Sequence, residues 1–429
     1  MKRCIVIGGG LAGLAAAVFL IKKSVKVTLI ESSPKLGGRA YSYYDHKYGH
    51  FVDNGQHIMM GCYKSTLEFL DIINANDQIV LQNTLRVPFI NKNGKIFPLD
   101  ANRGFYPFNL TYAVMNYKML SSQEKLSIFK FFMNFILFDA GESEKHNVLE
   151  WLRKGGQSLN AVESLWKILC VGALNSEPEA ASAGLFRDIL REIFLKGKDN
   201  NRIILTRNSL NETFSEKARL YIIQNGGEIK ISERACSMEI NNGTINLLST
   251  TKQTYKDFDF VITAAPVTAL RKINFVPVMP RFYLPEMEYS PILSVHLWGQ
   301  TGIFTERFYG FTDSPVHWLF NNKTHITLVT SAADNMIKLP NDEIIKIFTQ
   351  EIKNRFPDFD TGKITDVQVL KEKSATFIPT SASNHERKKT YNPIKNLAFA
   401  GDWTDTKLPA TIEGAIKSGK TAVDLLLNA

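Results

Sequence analysis

Short β-branched stretches alternate with an alanine-rich stretch over the first thirty residues. Residues 3–7 read RCIVI, a run typical of a buried strand, and residues 25–30 read VKVTLI, a second run of the same kind. Between them lies an alanine-rich stretch that predicts a helix ending near Lys23. The order strand, helix, strand predicts a parallel βαβ unit and an α/β fold.

The hydrophobic pattern predicts further strands and helices of this α/β unit in distant parts of the chain, so we expect a discontinuous domain. A helix is predicted over 210–224, then strands at 228–240, 244–249 and 258–265, as a β-meander and a returning strand of the same sheet. A last strand at 396–402 precedes a helix that runs to Leu427. The pattern therefore assigns residues 1–60, 207–272 and 391–429 to one domain.

Two insertions interrupt that domain, and we assign both to a second, substrate-binding domain. The first insertion, residues 61–206, is predicted to be largely helical. The second, residues 273–390, alternates strands with one amphipathic helix. Its predicted strands lie at 292–298, 324–331 and 367–373, and its helix at 342–355. This domain is expected to be α+β, with a mixed sheet and a helical insertion.

Composition narrows the class of protein. A hydrophobic share of 44% and a charged share of 22% exclude disorder, and four cysteines without a CxxC pair argue against a disulfide scaffold or a cysteine zinc site. The net charge of +9 is compatible with an anionic membrane surface or an anionic cofactor. The uncharged stretch from Cys4 to Ile21 contains Gly8-Gly9-Gly10, which a signal-peptide helix would not accommodate. We therefore expect a cytoplasmic protein without a transmembrane helix.

The glycines after the first strand carry the first chemical prediction. They form a GxGxxG motif between strand and helix, and the second strand ends in Glu31. In this setting the glycines allow a tight turn and close approach to a pyrophosphate, while the acid accepts hydrogen bonds from a ribose. A glycine-rich turn without a ligand is the alternative. The residues predicted to bind the dinucleotide here are Gly8, Gly10, Leu11, Ala12, Gly13 and Glu31.

The next segment resembles a known superfamily. Residues 35–42, KLGGRAYS, resemble the RxGGRxx[ST] motif of the flavin amine oxidase and phytoene desaturase superfamily, with Lys35 in place of the first arginine. Gly37 and Gly38 allow the backbone to pass close to the cofactor, and Arg39 offers a fork of donors to a pyrophosphate or flavin edge. A surface salt bridge is the alternative role for Arg39.

The C-terminal strand ends in Gly401 and Asp402, and a helix begins soon after. The resemblance implies that Asp402 binds the ribityl or pyrophosphate region of FAD, that the helix start lies under the flavin, and that Ala235 and Cys236 contact the adenine. Asp402 could instead be an N-cap or turn residue. The residues implied at the helix start are Thr411, Ile412, Gly414 and Ala415. Together these motifs predict FAD, in a Rossmann-like domain of the glutathione-reductase type.

Residues 53–57, DNGQH, narrow the resemblance. With residues 401–405 (GDWTD) and 408–415 (LPATIEGA), they resemble the squalene-associated FAD enzymes, the hydroxysqualene dehydroxylases, over the whole chain. The resemblance implies reductive removal of an allylic hydroxyl to give squalene, in hopanoid or squalene biosynthesis. It also implies that Asn54, Gly55 and Gln56 line the flavin. Since no second GxGxxG follows, the electrons must come from substrate, oxygen, a quinone or a carrier protein.

Such a reaction needs an acid, because hydroxide is a poor leaving group. We favour His57, whose unperturbed imidazole would be partly protonated near neutral pH, although it could simply bond a backbone carbonyl. Asp53 is expected to buttress the loop or orient His57. Glu413 is the second candidate acid, with helix capping as its alternative.

The region 105–138 is rich in phenylalanine, with Lys125 and Lys130 nearby. A core helix and an interfacial helix that contacts a membrane are equally compatible with residues 127–138, SIFKFFMNFILF.

Rival functions remain open at this point. A carotenoid or squalene desaturase would move hydride in the opposite direction, from the isoprenoid to FAD. An amine oxidase or protoporphyrinogen oxidase is less favoured, and so is a non-catalytic isoprenoid-binding protein like the Rab GDP-dissociation inhibitors. A flavin absorption spectrum would exclude this last alternative.

Overall fold

The computed structural model describes residues 1–137, 141–277 and 283–428. In chain order the strands are Arg3–Ile7 (β1), Lys26–Ile30 (β2), Ser42–Asp45 (β3), His50–Asp53 (β4), Met59–Met60 (β5), Ile79–Leu81 (β6), Arg86–Ile90 (β7), Ile96–Asp100 (β8), Ile203–Thr206 (β9), Glu228–Lys230 (β10), Ala235–Asn241 (β11), Thr244–Thr250 (β12), Thr254–Tyr255 (β13), Phe260–Thr263 (β14), Asn274–Val276 (β15), Tyr289–Trp298 (β16), Phe308–Phe311 (β17), Trp318–Asn321 (β18), His325–Ser331 (β19), Asp366–Phe377 (β20) and Leu397–Phe399 (β21).

The α-helices alternate with these strands. They are Leu11–Lys22 (α1), Lys64–Ile72 (α2), Phe108–Asn116 (α3), Ser122–Leu137 (α4), Val148–Lys154 (α5), Leu159–Ala161 (α6), Lys167–Leu174 (α7), Ala183–Phe194 (α8), Glu216–Gln224 (α9), Val267–Leu270 (α10), Asn341–Arg355 (α11), Ser381–Lys388 (α12) and Ile412–Leu427 (α13). Within the three described ranges, no helix is both long enough and apolar enough to cross a bilayer.

A parallel five-stranded sheet carries the first sequence motifs. Its order is β10-β2-β1-β14-β21, so strands from three distant parts of the chain lie side by side. Helices α1 and α13 pack against each other beside this sheet, over a core that α2 and α9 complete. The predicted α/β fold class is confirmed.

The second large element is a mixed seven-stranded sheet, in the order β20-β16-β19-β18-β17-β7-β8. One face packs on α11, and helices α4, α5, α7 and α8 form a separate apolar core with strands from β7, β17 and β18. The hairpin β3-β4 lies over this sheet, where the Tyr43 hydroxyl donates to Gln368 and Tyr48 stacks on Trp298. Residues next to both sheets can therefore meet at one site.

Two details of the sequence prediction were wrong. The predicted strand 228–240 is two strands in different sheets, because Ser232 adopts a left-handed φ of 53° and turns the chain out of the parallel sheet after β10. Strands β11, β12 and β13 join β15 in a separate four-stranded sheet, and are therefore not part of the sheet that contains β14. In the insertion 61–206, helices predominate as expected, and its strands β7 and β8 join the seven-stranded sheet.

Candidate FAD and substrate site

The turn between β1 and α1 is shaped by its glycines. Gly8 has a φ of +109°, and a Cβ on Gly13 would lie 1.8 Å from the Gly8 carbonyl oxygen, so α1 can begin this close to β1 only with glycine there. A Cβ on Gly10 would meet only the Gly38 Cα, at 3.8 Å. The turn thus leaves an open approach to the N-terminus of α1, which suits a pyrophosphate.

Glu31 lies beside that turn, at the end of β2. Its carboxylate accepts hydrogen bonds from the Gly9 amide at 2.5 Å and the Ser33 amide at 2.6 Å. Glu31 and the glycine turn line one large cavity of the protein. The Gly37 amide donates to the Gly9 carbonyl at 2.9 Å, so the second glycine motif is fixed against the first. An acceptor-only carboxylate at this place fits the hydroxyls of a ribose.

Arg39 and Asp402 join the two ends of the chain. The Arg39 guanidinium donates to the Asp402 carboxylate at 2.6 Å and to the Ala375 carbonyl at 3.1 Å, and both side chains line the cavity. Asp402 is 5% exposed, and its charge raises the pKa of Arg39. Arg39 therefore does form a salt bridge, but with Asp402 and in the wall of the cavity.

The start of α13 closes the same wall. Thr411 caps the helix by accepting from the Gly414 amide at 3.1 Å, which leaves the first turn directed at the cavity. Most of the residues predicted to bind FAD line this single cavity: Gly8, Gly10, Leu11, Ala12, Glu31, Gly37, Gly38, Arg39, Asn54, Gly55, Gln56, Ala235, Cys236, Gly401, Asp402, Thr411, Ile412 and Ala415. Gly13 and Gly414 lie behind the wall, where each allows close backbone packing.

The cavity has a volume of about 1820 Å³, well above the roughly 1,000 Å³ of a large single-ligand pocket. Beyond the nucleotide motifs it continues into an apolar chamber between α7, α8 and the seven-stranded sheet. The chamber wall includes Leu85, Val87, Leu99, Ile168, Leu169, Gly172, Phe186, Ile189, Leu190, Phe194, Trp318, Phe320 and Val329. The sequence did not reveal these residues, since they belong to distant elements and have the pattern of ordinary core.

His57 lines the cavity between the two ends, and its Nδ1 bonds the Gly55 carbonyl at 3.0 Å. Burial lowers the pKa of His57 below its usual 6.5, against the raising effect of that carbonyl. Desolvation favours the neutral ring, so a smaller protonated fraction is expected near neutral pH than for an unperturbed imidazole. With Nδ1–H donating to Gly55, the neutral ring keeps Nε2 as an acceptor.

Asp53 does not reach the cavity wall and supports the loop from behind. Its carboxylate accepts from the Leu210 amide at 2.8 Å and the Ser42 hydroxyl at 2.7 Å, while the bond of His57 goes to Gly55. Burial raises the pKa of Asp53 to about 6, against those hydrogen bonds. Asp53 was expected either to support the loop or to orient His57, and the geometry fits the first of these roles.

Glu413 caps a neighbouring helix. Its carboxylate accepts from the Ser65 amide at 2.9 Å, the Thr66 amide at 2.8 Å and the Thr66 hydroxyl at 2.8 Å, all at the start of α2. Both carboxylate oxygens are thus occupied by donors from the first turn of α2. The geometry therefore does not support Glu413 as an acid, and the capping role it shows concerns α2 and not its own helix.

Several charged residues that line the cavity were not predicted from the sequence, and Glu372 is the one in contact with a predicted site residue, Asn54. Glu372 of β20 lines the cavity and accepts from the Tyr41 hydroxyl at 3.0 Å and the Asn54 side chain at 3.3 Å. Burial and the charge of Glu372 raise the pKa of Tyr41 to about 12. No local motif marks Glu372, because the seven-stranded sheet alone brings it to the loop with Asn54.

Comparison with known proteins agrees with this geometry. The family model for flavin containing amine oxidoreductases matches residues 11–427. A hydroxysqualene dehydroxylase of Zymomonas mobilis is 27% identical over 430 residues, covering 99% of this chain and 98% of the relative. A 15-cis-phytoene desaturase of Glycine max is 25% identical over 457 residues, covering 99% of this chain and 79% of the relative.

Solved structures share the fold. An oxidoreductase from Methanosarcina mazei has a TM-score of 0.74 at 16% identity, covering 98% of this chain and 99% of that one. Cyclohexylamine oxidase from Brevibacterium oxydans has a TM-score of 0.68 at 14% identity, covering 100% of this chain and 99% of that one.

The chain belongs to the family of flavin containing amine oxidoreductases. The glycine turn, Glu31 and the Arg39–Asp402 pair supply the donors, acceptors and open backbone that a flavin dinucleotide requires. The protein is accordingly an FAD-dependent oxidoreductase, and the predictions of FAD and of enzymatic activity are confirmed.

Proposed function

We propose that this protein removes the allylic hydroxyl of hydroxysqualene and produces squalene. The observation that carries the proposal is the single cavity, in which the nucleotide motifs open directly into a long apolar chamber. An isoprenoid of this length needs such a chamber, whereas a small polar amine does not. Relatives named hydroxysqualene dehydroxylase that match 99% or more of the chain support the same choice.

The reaction removes hydroxide as water and replaces it with hydrogen, so it consumes one hydride and one proton. FAD, when bound and reduced, supplies hydride chemistry at its site. The chain itself must deliver the proton, hold the leaving oxygen and keep water away from the carbon that loses it. The apolar side chains that α7 and α8 contribute to the wall, among them Ile168 and Ile189, serve this exclusion of water in the proposed reaction.

His57 is our proposed proton donor, since its imidazole lines the cavity where the polar and apolar parts meet. With its pKa lowered by burial, the ring is neutral at pH 7 and its protonated fraction rises as the pH falls. We therefore expect proton delivery by His57 to improve below pH 6.5. Near pH 7 most of the protein would hold the leaving hydroxyl through an accepting Nε2.

A desaturase that passes hydride from an isoprenoid to FAD is the second candidate, supported by relatives named 15-cis-phytoene desaturase. Both reactions fit the same cavity. Dehydroxylation delivers hydride to the isoprenoid and releases water, whereas desaturation removes hydride and a proton from neighbouring carbons and forms a double bond. In either case the substrate dissolves in lipid, so the proposal includes peripheral contact of the protein with the cytoplasmic face of a membrane.

One experiment separates the two reactions. The FAD-loaded protein is chemically reduced without oxygen and incubated with hydroxysqualene, while the oxidised protein is incubated with squalene or phytoene. We expect squalene from the first mixture and no new double bonds in the second. New double bonds without any squalene formation would overturn the proposal in favour of the desaturase.

A further inference from the structure

Helices α3 and α4 leave an apolar face uncovered. We call it the α3–α4 face and define it by Phe105, Phe108, Met115, Leu126, Phe129 and Met133, whose exposed fractions run from 39% to 74%. The two helices pack on each other, and the rings of Phe105 and Phe108 stand 5.3 Å apart. Two phenylalanines more than 60% exposed side by side indicate an interaction site.

Helix α4 is apolar on two sides, which an ordinary core helix is not. Ile128, Phe131 and Phe135 are buried in the helical core, whereas Leu126 and Phe129 are exposed on the other side. Leu126, Phe129 and Met133 follow an i, i+3, i+7 spacing, so they form one stripe. For residues 127–138 the sequence allowed a core helix or an interfacial helix; the buried side of α4 fits the core helix, and the exposed side is the part that an interfacial helix would use, while Phe138 lies outside the described residues.

The charges around the face are mostly positive. Between residues 101 and 135 the basic residues are Arg103, Lys118, Lys125 and Lys130, against a single acid, Glu124. Glu124 is engaged by the Ser158 hydroxyl and the Asn160 amide. Within the part of the chain that the structure describes, none of the four cations forms an ion pair. Apolar side chains flanked by cations that form no ion pair suit the surface of an anionic bilayer.

Helix α8 lies between the α3–α4 face and the apolar end of the cavity, and its residues contact both. Phe194 lines the cavity, its carbonyl accepts from the Tyr106 hydroxyl at 3.0 Å, and its ring lies 6.1 Å from that of Phe132 on α4. Arg191 also lines the cavity and donates to the Phe135 carbonyl at 3.1 Å. Only a thin layer of side chains therefore separates the face from the chamber.

We propose that the α3–α4 face docks on an anionic lipid bilayer, and that an apolar substrate passes from the bilayer into the chamber beside Phe194. The route of the substrate rests on the proposed function, because only a lipid-dissolved substrate needs it. The proposal that the protein docks on a bilayer depends only on the properties of the α3–α4 face.

Vesicle flotation of the full-length, FAD-loaded protein tests the docking. We expect it to float with vesicles of three parts phosphatidylcholine to one part phosphatidylglycerol. The triple variant Phe105→Ser, Phe108→Ser, Phe129→Ser should bind at least tenfold more weakly. The matched control, Leu220→Ser with Ile223→Ser, alters two side chains of α9 that are 40% and 48% exposed and should bind like the wild type.

The basic residues give a second, independent measurement. Lys118→Gln with Lys130→Gln should weaken binding to the anionic vesicles and leave binding to pure phosphatidylcholine vesicles unchanged. Three results would overturn the docking: a wild type that does not float, a triple variant that floats like the wild type, or a wild-type dimer in light scattering that the triple variant abolishes. That last result would assign the face to a second copy of the chain.

Measuring turnover with substrate in detergent and in vesicles distinguishes a failure of the docking proposal from a failure of the proposed reaction. The triple variant should convert hydroxysqualene dispersed in detergent at the wild-type rate and lose at least tenfold with substrate embedded in vesicles. Equal loss in both would overturn the route past Phe194. A wild type that binds vesicles through the face, yet makes no squalene from either source, would overturn the proposed reaction and leave the docking standing.

Discussion

The two ends of the cavity are built in opposite ways. The nucleotide end is formed by main-chain turns, in which Gly8 and Gly37 adopt positive φ, Gly10 leaves open space, and Glu31 and Asp402 contribute carboxylates to the cavity wall. The apolar end is formed mainly by apolar side chains from α7, α8 and the seven-stranded sheet, with charged residues of α8 such as Arg191 among them. Backbone turns require particular residues in sequence, whereas an apolar wall requires only volume. Changes at the two ends should therefore separate cofactor binding from substrate binding.

The largest effect is expected between the two ends, at His57. His57→Gln keeps a polar side chain but removes the titratable ring, so turnover should fall about 10²–10⁴-fold while bound FAD is retained. The wild-type rate should rise as the pH falls below 6.5, because the lowered pKa of His57 restricts the imidazolium to that range. The variant's profile should be flat there. Wild-type turnover in the variant would exclude His57 from the reaction.

At the nucleotide end, Gly13→Ala should abolish FAD binding. Its Cβ would lie 1.8 Å from the Gly8 carbonyl, which the helix can relieve only by moving away from β1. We expect at least a 100-fold loss of affinity, about 2.7 kcal/mol, and a lower Tm of the FAD-free protein.

The matched control is Gly10→Ala. Its added methyl has only the Gly38 Cα nearby, at 3.8 Å, so the FAD-free Tm should not change while FAD affinity falls. Gly13→Ala purified with full flavin content would contradict this account of the turn.

At the apolar end, Gly172→Leu should weaken squalene binding and leave FAD binding unchanged. A Cβ on Gly172 lies 3.4 Å from the Trp318 ring, so alanine fits and a leucine side chain would project into the space between α7 and that ring. We expect unchanged flavin content and about a 30-fold loss of squalene affinity, roughly 2 kcal/mol. Gly172→Ala should stay close to wild type. Loss of FAD in Gly172→Leu would show that the two ends are not separable.

A smaller effect is expected for Asp402→Asn. The substitution keeps the shape but removes the charge that holds Arg39 at 2.6 Å, and Arg39 is partly screened by solvent. FAD retention through gel filtration should fall about tenfold, since a charge-assisted hydrogen bond contributes about 1.5–3 kcal/mol before screening. Squalene affinity of the reloaded variant should stay within about twofold of wild type.

The same contrast explains what could be predicted from the sequence. The glycine turn, Glu31 and Arg39 could be found because their spacing is local and each position tolerates few residue types. Glu372 and Trp318 could not, because only pairing within the seven-stranded sheet brings them to the cavity. The titration of His57 also escaped prediction, since the pKa depends on burial that no local pattern reports. Ser232 shows the same limit at the level of the fold, where one left-handed residue divides a predicted strand.

The central claim is that FAD and a long isoprenoid lie side by side in one cavity. Titration of squalene into the oxidised, FAD-loaded protein, followed by flavin absorbance, tests this most directly. Squalene entering the chamber should displace water beside the flavin and give a saturable shift of the flavin bands, absent in Gly172→Leu. Saturable binding of squalene with an unchanged flavin spectrum would place the lipid elsewhere and contradict the claim.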